Sequence, residues 1–202
     1  LGALRGTNNF TTSRNVILAG GGTLHADSGL NVANYLGVVS GNGGLRIIND
    51  PAGGGRVALT NLGNNYIGGT FINSGALAVG DDLVLGAPGP GNGITFSSPG
   101  STLITTAGLT SPRDITFNGG AVDHAGNVST FSGNKTGGGG VTIVNSGPSG
   151  TGRIEFRGSN TFSGGMRIAP GATLDIISDL NMGLIGPENG LIIDGDGTLR
   201  TA

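Results

Sequence analysis

Gly44-Leu-Arg-Ile-Ile-Asn49 and, 96 positions later, Gly140-Val-Thr-Ile-Val-Asn145 are the same short segment written twice. Asn64-Asn-Tyr-Ile-Gly-Gly69 returns as Asn160-Thr-Phe-Ser-Gly-Gly165 at the same spacing. Asp82-Leu83, Gly86 and Gly89-Pro-Gly-Asn-Gly93 return 97 positions on as Asp179-Leu180, Gly183 and Gly186-Pro-Glu-Asn-Gly190. Arg14-Asn-Val-Ile-Leu-Ala-Gly-Gly21 returns 99 positions on as Arg113-Asp-Ile-Thr-Phe-Asn-Gly-Gly120. A period held over the whole chain points to a repeat architecture, and the drift from 99 to 96 belongs to small insertions in loops. Gly2-Ala3-Leu4 aligns with Ser101-Thr102-Leu103 and again with Gly197-Thr198-Leu199. Residues 1–202 therefore read as one continuous unit of two tandem repeats of about 97 residues, about 1–99 and 100–196, plus the start of a third. Neither end looks like a cap, and the expectation is an excerpt of a longer array.

Inside each unit, short segments with a period of two alternate with Gly, Asn, Asp, Ser or Pro. Examples are Arg56-Val-Ala-Leu-Thr60, Ala76-Leu-Ala-Val79 and Gly93-Ile-Thr-Phe96. Such segments are strands with one buried face. The two-residue Asn-Gly or Asp-Gly loops that select tight hairpins are rare, which argues against an antiparallel meander. Similar residues recurring in phase suit coils stacked along one axis, with equivalent positions forming ladders about 4.8 Å apart. The predicted fold is all-β, a parallel β-helix or β-solenoid, right-handed by the general preference for right-handed crossovers. Coils of roughly 20 to 25 residues give four or five per unit and eight to ten in all, a rod of about 40 to 50 Å. The one stretch expected to form a short helix is Ser28 to Tyr35, where the strand signal is weak.

Composition narrows the rest. Gly supplies 44 of 202 residues, yet the Val, Ile and Leu content allows a core, which excludes disorder. With only 7 Phe, 2 Tyr and no Trp, that core is expected to be aliphatic. Net charge is −2, Lys135 is the only lysine, and no basic run marks a nucleic-acid partner. No apolar stretch approaches the roughly 20 residues of a membrane span. Cysteine is absent, which suits a chain exported unfolded through a pore.

Leu36-Gly-Val-Val-Ser-Gly-Asn-Gly-Gly-Leu45, then Gly55-Arg-Val-Ala-Leu-Thr60 and Asn64-Asn-Tyr-Ile-Gly-Gly-Thr-Phe-Ile-Asn73 running into Ser74-Gly-Ala-Leu-Ala-Val-Gly80, closely resemble the autotransporter-associated β-strand repeat, also called the passenger-associated transport repeat. The second copy, from Gly139-Gly140-Val141 to Leu174, resembles it less: Met166 stands where the family has Thr, and Val141 where it has Leu. The resemblance covers about 80 of the 202 residues. It implies a secreted, β-helical passenger or giant surface protein of a Gram-negative-type bacterium, extracellular or on the cell surface.

Chemistry is sparse. His25, beside Asp27, and His124, beside Asp123, occupy equivalent positions and read as turn positions inherited by duplication. Asp194-Gly-Asp-Gly197 is a fragment of a calcium loop without the tandem nonapeptide that such loops need, and its counterpart Ser97-Ser-Pro-Gly100 has no carboxylate. Asp81, Asp82 and Asp179 are the nearest acidic group to an enzyme's, with no basic residue close in sequence. Gly137-Gly-Gly-Gly140 lacks the Lys-Ser/Thr of a phosphate loop and reads as a flexible corner. Asn64 and Asn160, with Tyr66 and Phe162, read as stability residues that satisfy the next coil and stack inside it. No catalytic, cofactor-binding or metal-binding residue is assigned. The expected function is a structural rod, fibre or stalk outside the cell, with self-association end to end or laterally. An adhesin or glycan-binding module is the alternative, supported if a Thr ladder or aromatic row lies on one face. An enzyme processing polysaccharide comes third.

Overall fold

The structure is a computed structural model that describes residues 2–6, 8–27, 32–49 and 55–201. Its strands pair in parallel, and the chain visits three faces in turn, so one circuit makes one coil of a β-solenoid. The first face stacks Gly2–Gly6, Gly22–Ala26, Leu45–Asn49, the opening of Thr70–Val79, Ile94–Phe96, Ile115–Phe117 and Lys135–Thr136. The second runs from Phe10–Thr12 and Val32–Tyr35 through Arg56–Leu59, the close of Thr70–Val79, Ser101–Thr105, Ala121–Asp123, Val141–Val144 and Met166–Ile168 to Leu191–Ile193. The third pairs Val16–Ile17 with Val39–Ser40 and later stacks Thr110–Ser111, Val128–Phe131, Arg153–Phe156, Thr173–Ile176 and Thr198–Thr201.

On the second face the inward residues Phe10, Ala33, Val57, Leu77, Leu103, Val122, Ile143, Ile168 and Ile193 are each in register with the next. Their spacing of 19 to 26 residues measures the coil directly, and the chain makes about eight turns. The interior is less purely aliphatic than composition suggested. Phe96, Phe117, Phe131, Phe156, Phe162, Tyr35 and Tyr66 are all fully buried. Phe96 and Phe117, adjacent rungs of the first face, lie 4.9 Å apart, and Phe162 meets Phe117 edge-on at 5.7 Å. The scarce rings are spent inside, where each buries the most apolar area.

Repeat and coil do not share a period. Leu45 lies on the first face and its counterpart Val141 on the second; Ile94 moves likewise to Leu191, and Leu103 on the second face to Leu199 on the third. Val16 and Val39 on the third face correspond to Ile115 and Lys135 on the first. One sequence repeat thus spans four coils plus one face. Equivalent residues consequently do not form ladders with each other, contrary to the expectation from phase. Coil length is set by closing three strands around a core, whereas repeat length is set by duplication.

Ser28 to Tyr35 also departs from expectation. Val32–Tyr35 is a strand, paired on one side to Phe10–Thr12 and on the other to Arg56–Leu59, and residues 28–31 lie outside the described residues. Two strand neighbours override a weak local preference. Among the described residues, helix is confined to single 3-10 turns at Asp82–Leu85 and Asp179–Met182. These sit 97 residues apart, are capped by Asp81 and Ser178, and end at Gly86 and Gly183, whose φ values of 83° and 93° favour glycine.

The glycine run at 137–140 is a rigid corner rather than a flexible one. A Cβ on Gly139 would run into the backbone of Asn118 and Gly119 one coil below, while one on Gly138 would meet nothing within 4 Å. Gly139→Ala should therefore lower the thermal midpoint by several degrees or block folding, with Gly138→Ala within a degree or two of the parent. Thermal unfolding followed by circular dichroism measures both.

Candidate functional site

The two Asn-centred corners are built alike. Asn64 Oδ1 accepts from Val39 N at 2.8 Å while its Nδ2 donates to Val84 O at 2.8 Å. Asn160 Oδ1 accepts from Lys135 N at 3.0 Å and its Nδ2 donates to Asn181 O at 2.7 Å. Each side chain ties three coils together, and buried amides of this kind have to be paired. Asn92 and Asn189 repeat the device one face on, accepting from Gly69 N and Gly165 N. Tyr66 and Phe162 lie fully inside the coil, and Tyr66 Oη bonds Thr70 Oγ1 at 2.6 Å.

Between the repeats the structure assembles a group that sequence distance concealed. Arg113 is buried, and its Nε donates to Asp82 Oδ1 at 2.9 Å. Its Nη atoms donate to the carbonyls of Asn92 and Gly86 at 2.8 and 2.7 Å, and to those of Ala87 and Asp82 at 3.3 and 3.2 Å. All five guanidinium donors are thereby used. Ser111 Oγ adds a bond to the same Asp82 oxygen at 2.6 Å. Asp82 belongs to the first repeat and Arg113 to the second, so this clasp crosses their junction. Asp82 thus finds a basic partner 31 residues away, although none lies near it in sequence; Asp81 instead caps the helical turn, accepting from Leu83 N at 2.8 Å.

Lys135 stands where the first repeat has Val39, and it is equally buried. Its Nζ donates to Gly133 O and Arg157 O at 2.7 Å each and to Phe131 O, and lies 5.0 Å from the Phe156 ring centroid. Burial, joined by the Arg157 charge and opposed by Asp114, pushes its pKa down to about 7.

The histidines are not brought together. His25 is on the first face, 3.4 Å from Asp27, and His124 follows the second-face strand Ala121–Asp123 four coils on. Burial lowers the pKa of His124 against the raising effect of Asp123. Of the calcium-like fragment, Asp194 pairs with Arg167 and Asp196 accepts from Gly171 N at 2.7 Å. Among the described residues no three His, Asp or Glu side chains converge as metal ligands, and no helix is long and apolar enough to cross a membrane, which says nothing of a β-barrel.

Two surface rows remain. Thr95, Thr116 and Thr136 lie in register on the first face, a three-rung ladder that did not show as a common phase in the sequence. On the third face, Thr130, Glu155, Asp175 and Arg200 form a four-rung row flanked by Arg153 and Arg157. Arg153 and Arg157 both reach Glu155, at 2.6 and 3.3 Å, and Arg157 also reaches Asp175 at 2.8 Å. Burial raises the Glu155 pKa, but bonds from Thr130 and Arg153 and the charges of Arg153 and Arg157 outweigh it, so the carboxyl is held below its usual range.

Compared with known protein families, curated proteins and solved structures, the chain matches none.

Arg113→Met should cost on the order of 3 kcal/mol, since it strands a partly buried carboxylate and several carbonyls; Asp179→Asn, at the exposed counterpart of Asp82, should change stability by less than about 0.5 kcal/mol. Urea unfolding of both variants measures the difference. For Lys135 the folded pKa lies below that of an unfolded lysine, so between about pH 7 and 10 the unfolded chain binds the extra proton. Unfolding free energy should accordingly rise with pH across that window, and Lys135→Met should remove this part of the slope in denaturation series at pH 7 and 9.5.

Proposed function

We propose that this chain is a section of an extracellular structural β-solenoid, forming a stiff rod, fibre or stalk on or outside a bacterial cell, and that its role is mechanical rather than catalytic. The observation that carries the reading is the junction between the two repeats. It has the same strand pairing as the interior of a repeat, Thr70–Val79 joining Ile94–Phe96 and Ser101–Thr105 without a break, and it adds the Arg113–Asp82 clasp. A repeat is thus completed by its neighbour, as quasi-one-dimensional proteins require.

The absence of cysteine and the resemblance to passenger repeats support an extracellular location.

Immunogold electron microscopy with antibody raised against residues 1–202, on intact producing cells, tests this. Label along thin fibres or stalks outside the envelope is the expected result, with each repeat adding about 21 Å of length at about 4.8 Å per coil. Label confined to the cell interior would overturn it.

A further inference from the structure

The two repeats provide an internal control for what the fold itself requires. The row Thr130, Glu155, Asp175, Arg200 on the third face corresponds, through the repeat, to Asn34, Ala58, Ala78, Ile104 on the second, and both rows are continuous in register. Arg153 corresponds to Arg56 and Arg157 to Thr60. The first repeat thus stacks the same coils with two alanines and an isoleucine where the second has two carboxylates and a guanidinium. Coil stacking does not need those charges.

Their arrangement has a direction. Three guanidinium groups meet two carboxylates, leaving one net positive charge. The acids lie beneath: the side chains of Asp175 and Glu155 are 6 % and 14 % exposed, and those of Arg157, Arg153 and Arg200 are 21 %, 31 % and 55 % exposed. Arg157 is pinned within the row, its Nη atoms donating to Glu155 Oε2, Asp175 Oδ1 and the carbonyls of Phe156 and Asp175, whereas Arg153 bonds only Glu155, through Nε and Nη2, and keeps donors towards solvent. Arg200 is the least engaged, its Nε 3.9 Å from the nearest Asp175 oxygen, beyond hydrogen-bond reach. Thr173 and Thr198, in register beside the row, add hydroxyl groups.

We infer that this face of the second repeat is a binding site for an acidic polysaccharide, with Arg153 and Arg200 receiving its carboxylate or sulfate groups and the flanking threonines its hydroxyls, while Arg157 holds the carboxylates beneath them. The site is a strip about 14 Å tall over four rungs and about 13 Å wide from residue 153 to 157. A strip of that shape takes an extended, hydroxyl-rich chain. The guanidinium groups pair in bidentate fashion with planar carboxylates. A nucleic acid is disfavoured because the rest of the chain carries no basic track to follow its phosphates and the net charge is −2. The inference does not depend on the mechanical reading, since a rod or an isolated domain would present the same face.

The test uses the whole chain and immobilised polygalacturonate, with dextran as the neutral reference and duplex DNA as a competing polyanion. Binding to polygalacturonate that weakens with salt, with at least tenfold less to dextran, is expected. Arg200→Ile should lower that affinity about threefold or more. The variant carrying Glu155→Ala, Arg157→Thr, Asp175→Ala and Arg200→Ile, each the first repeat's residue, should lose at least tenfold while unfolding within a few degrees of the parent. No binding to polygalacturonate, equal binding to dextran, or tighter binding to DNA would each overturn the inference. So would a fourfold variant that binds unchanged. If that variant unfolds early, Arg200→Ile decides: unchanged affinity there makes the row a stabilising ion-pair ladder only.

Discussion

Parallel backbones stacked at about 4.8 Å leave no room at a corner for anything the coils above and below do not also accommodate. That spacing governs the whole molecule. At Gly43, Gly139, Gly164 and Gly147 a Cβ would run into the backbone of the adjacent coil, so the side chain is omitted and the corner closes tightly. Where a corner turns inward, as at Asn64 and Asn160, the orphaned amides and carbonyls are met by an asparagine reaching to the coils on either side. The glycine content therefore marks close approach rather than looseness.

The same constraint explains how polar groups enter the interior. Arg113 and Lys135 are buried, yet each points its donors at backbone carbonyls that corners leave unpaired. Val39 at the site equivalent to Lys135 shows that an apolar residue also serves there. Burying a charge is costly unless its bonds are complete, and in both cases the corner carbonyls complete them. In each case the side chain takes the place of a backbone partner at the corner.

A repeat of four coils plus one face has a further consequence. Each duplication turns the molecule's features onto a new face, so equivalent residues of the two repeats do not share a ladder. A change in one repeat is then read by different neighbours than the same change in the other. The row from Thr130 to Arg200 is charged where the row from Asn34 to Ile104 is not, and the two lie on different faces of the stack.

The architecture was legible from residues alone because it rests on local and periodic signals. Alternation gave the strands, glycine and asparagine the corners, and the 96- to 99-residue echo the stacking. The coil length of roughly 20 to 25 residues rests on what is typical of solenoids rather than on a signal in these residues, and the observed spacing of 19 to 26 agrees with it. The strand at Val32–Tyr35 was missed because pairing on both sides, not its own composition, makes it extended. The Arg113–Asp82 clasp, the carbonyl cage of Lys135 and the charged row of the third face were not readable either. Their members lie roughly one coil or more apart in sequence and meet only because the coil length puts them on adjacent rungs. Sequence determined that the chain winds; only the tertiary structure decided which residues the winding brings face to face, since that depends on residues per turn to within one or two.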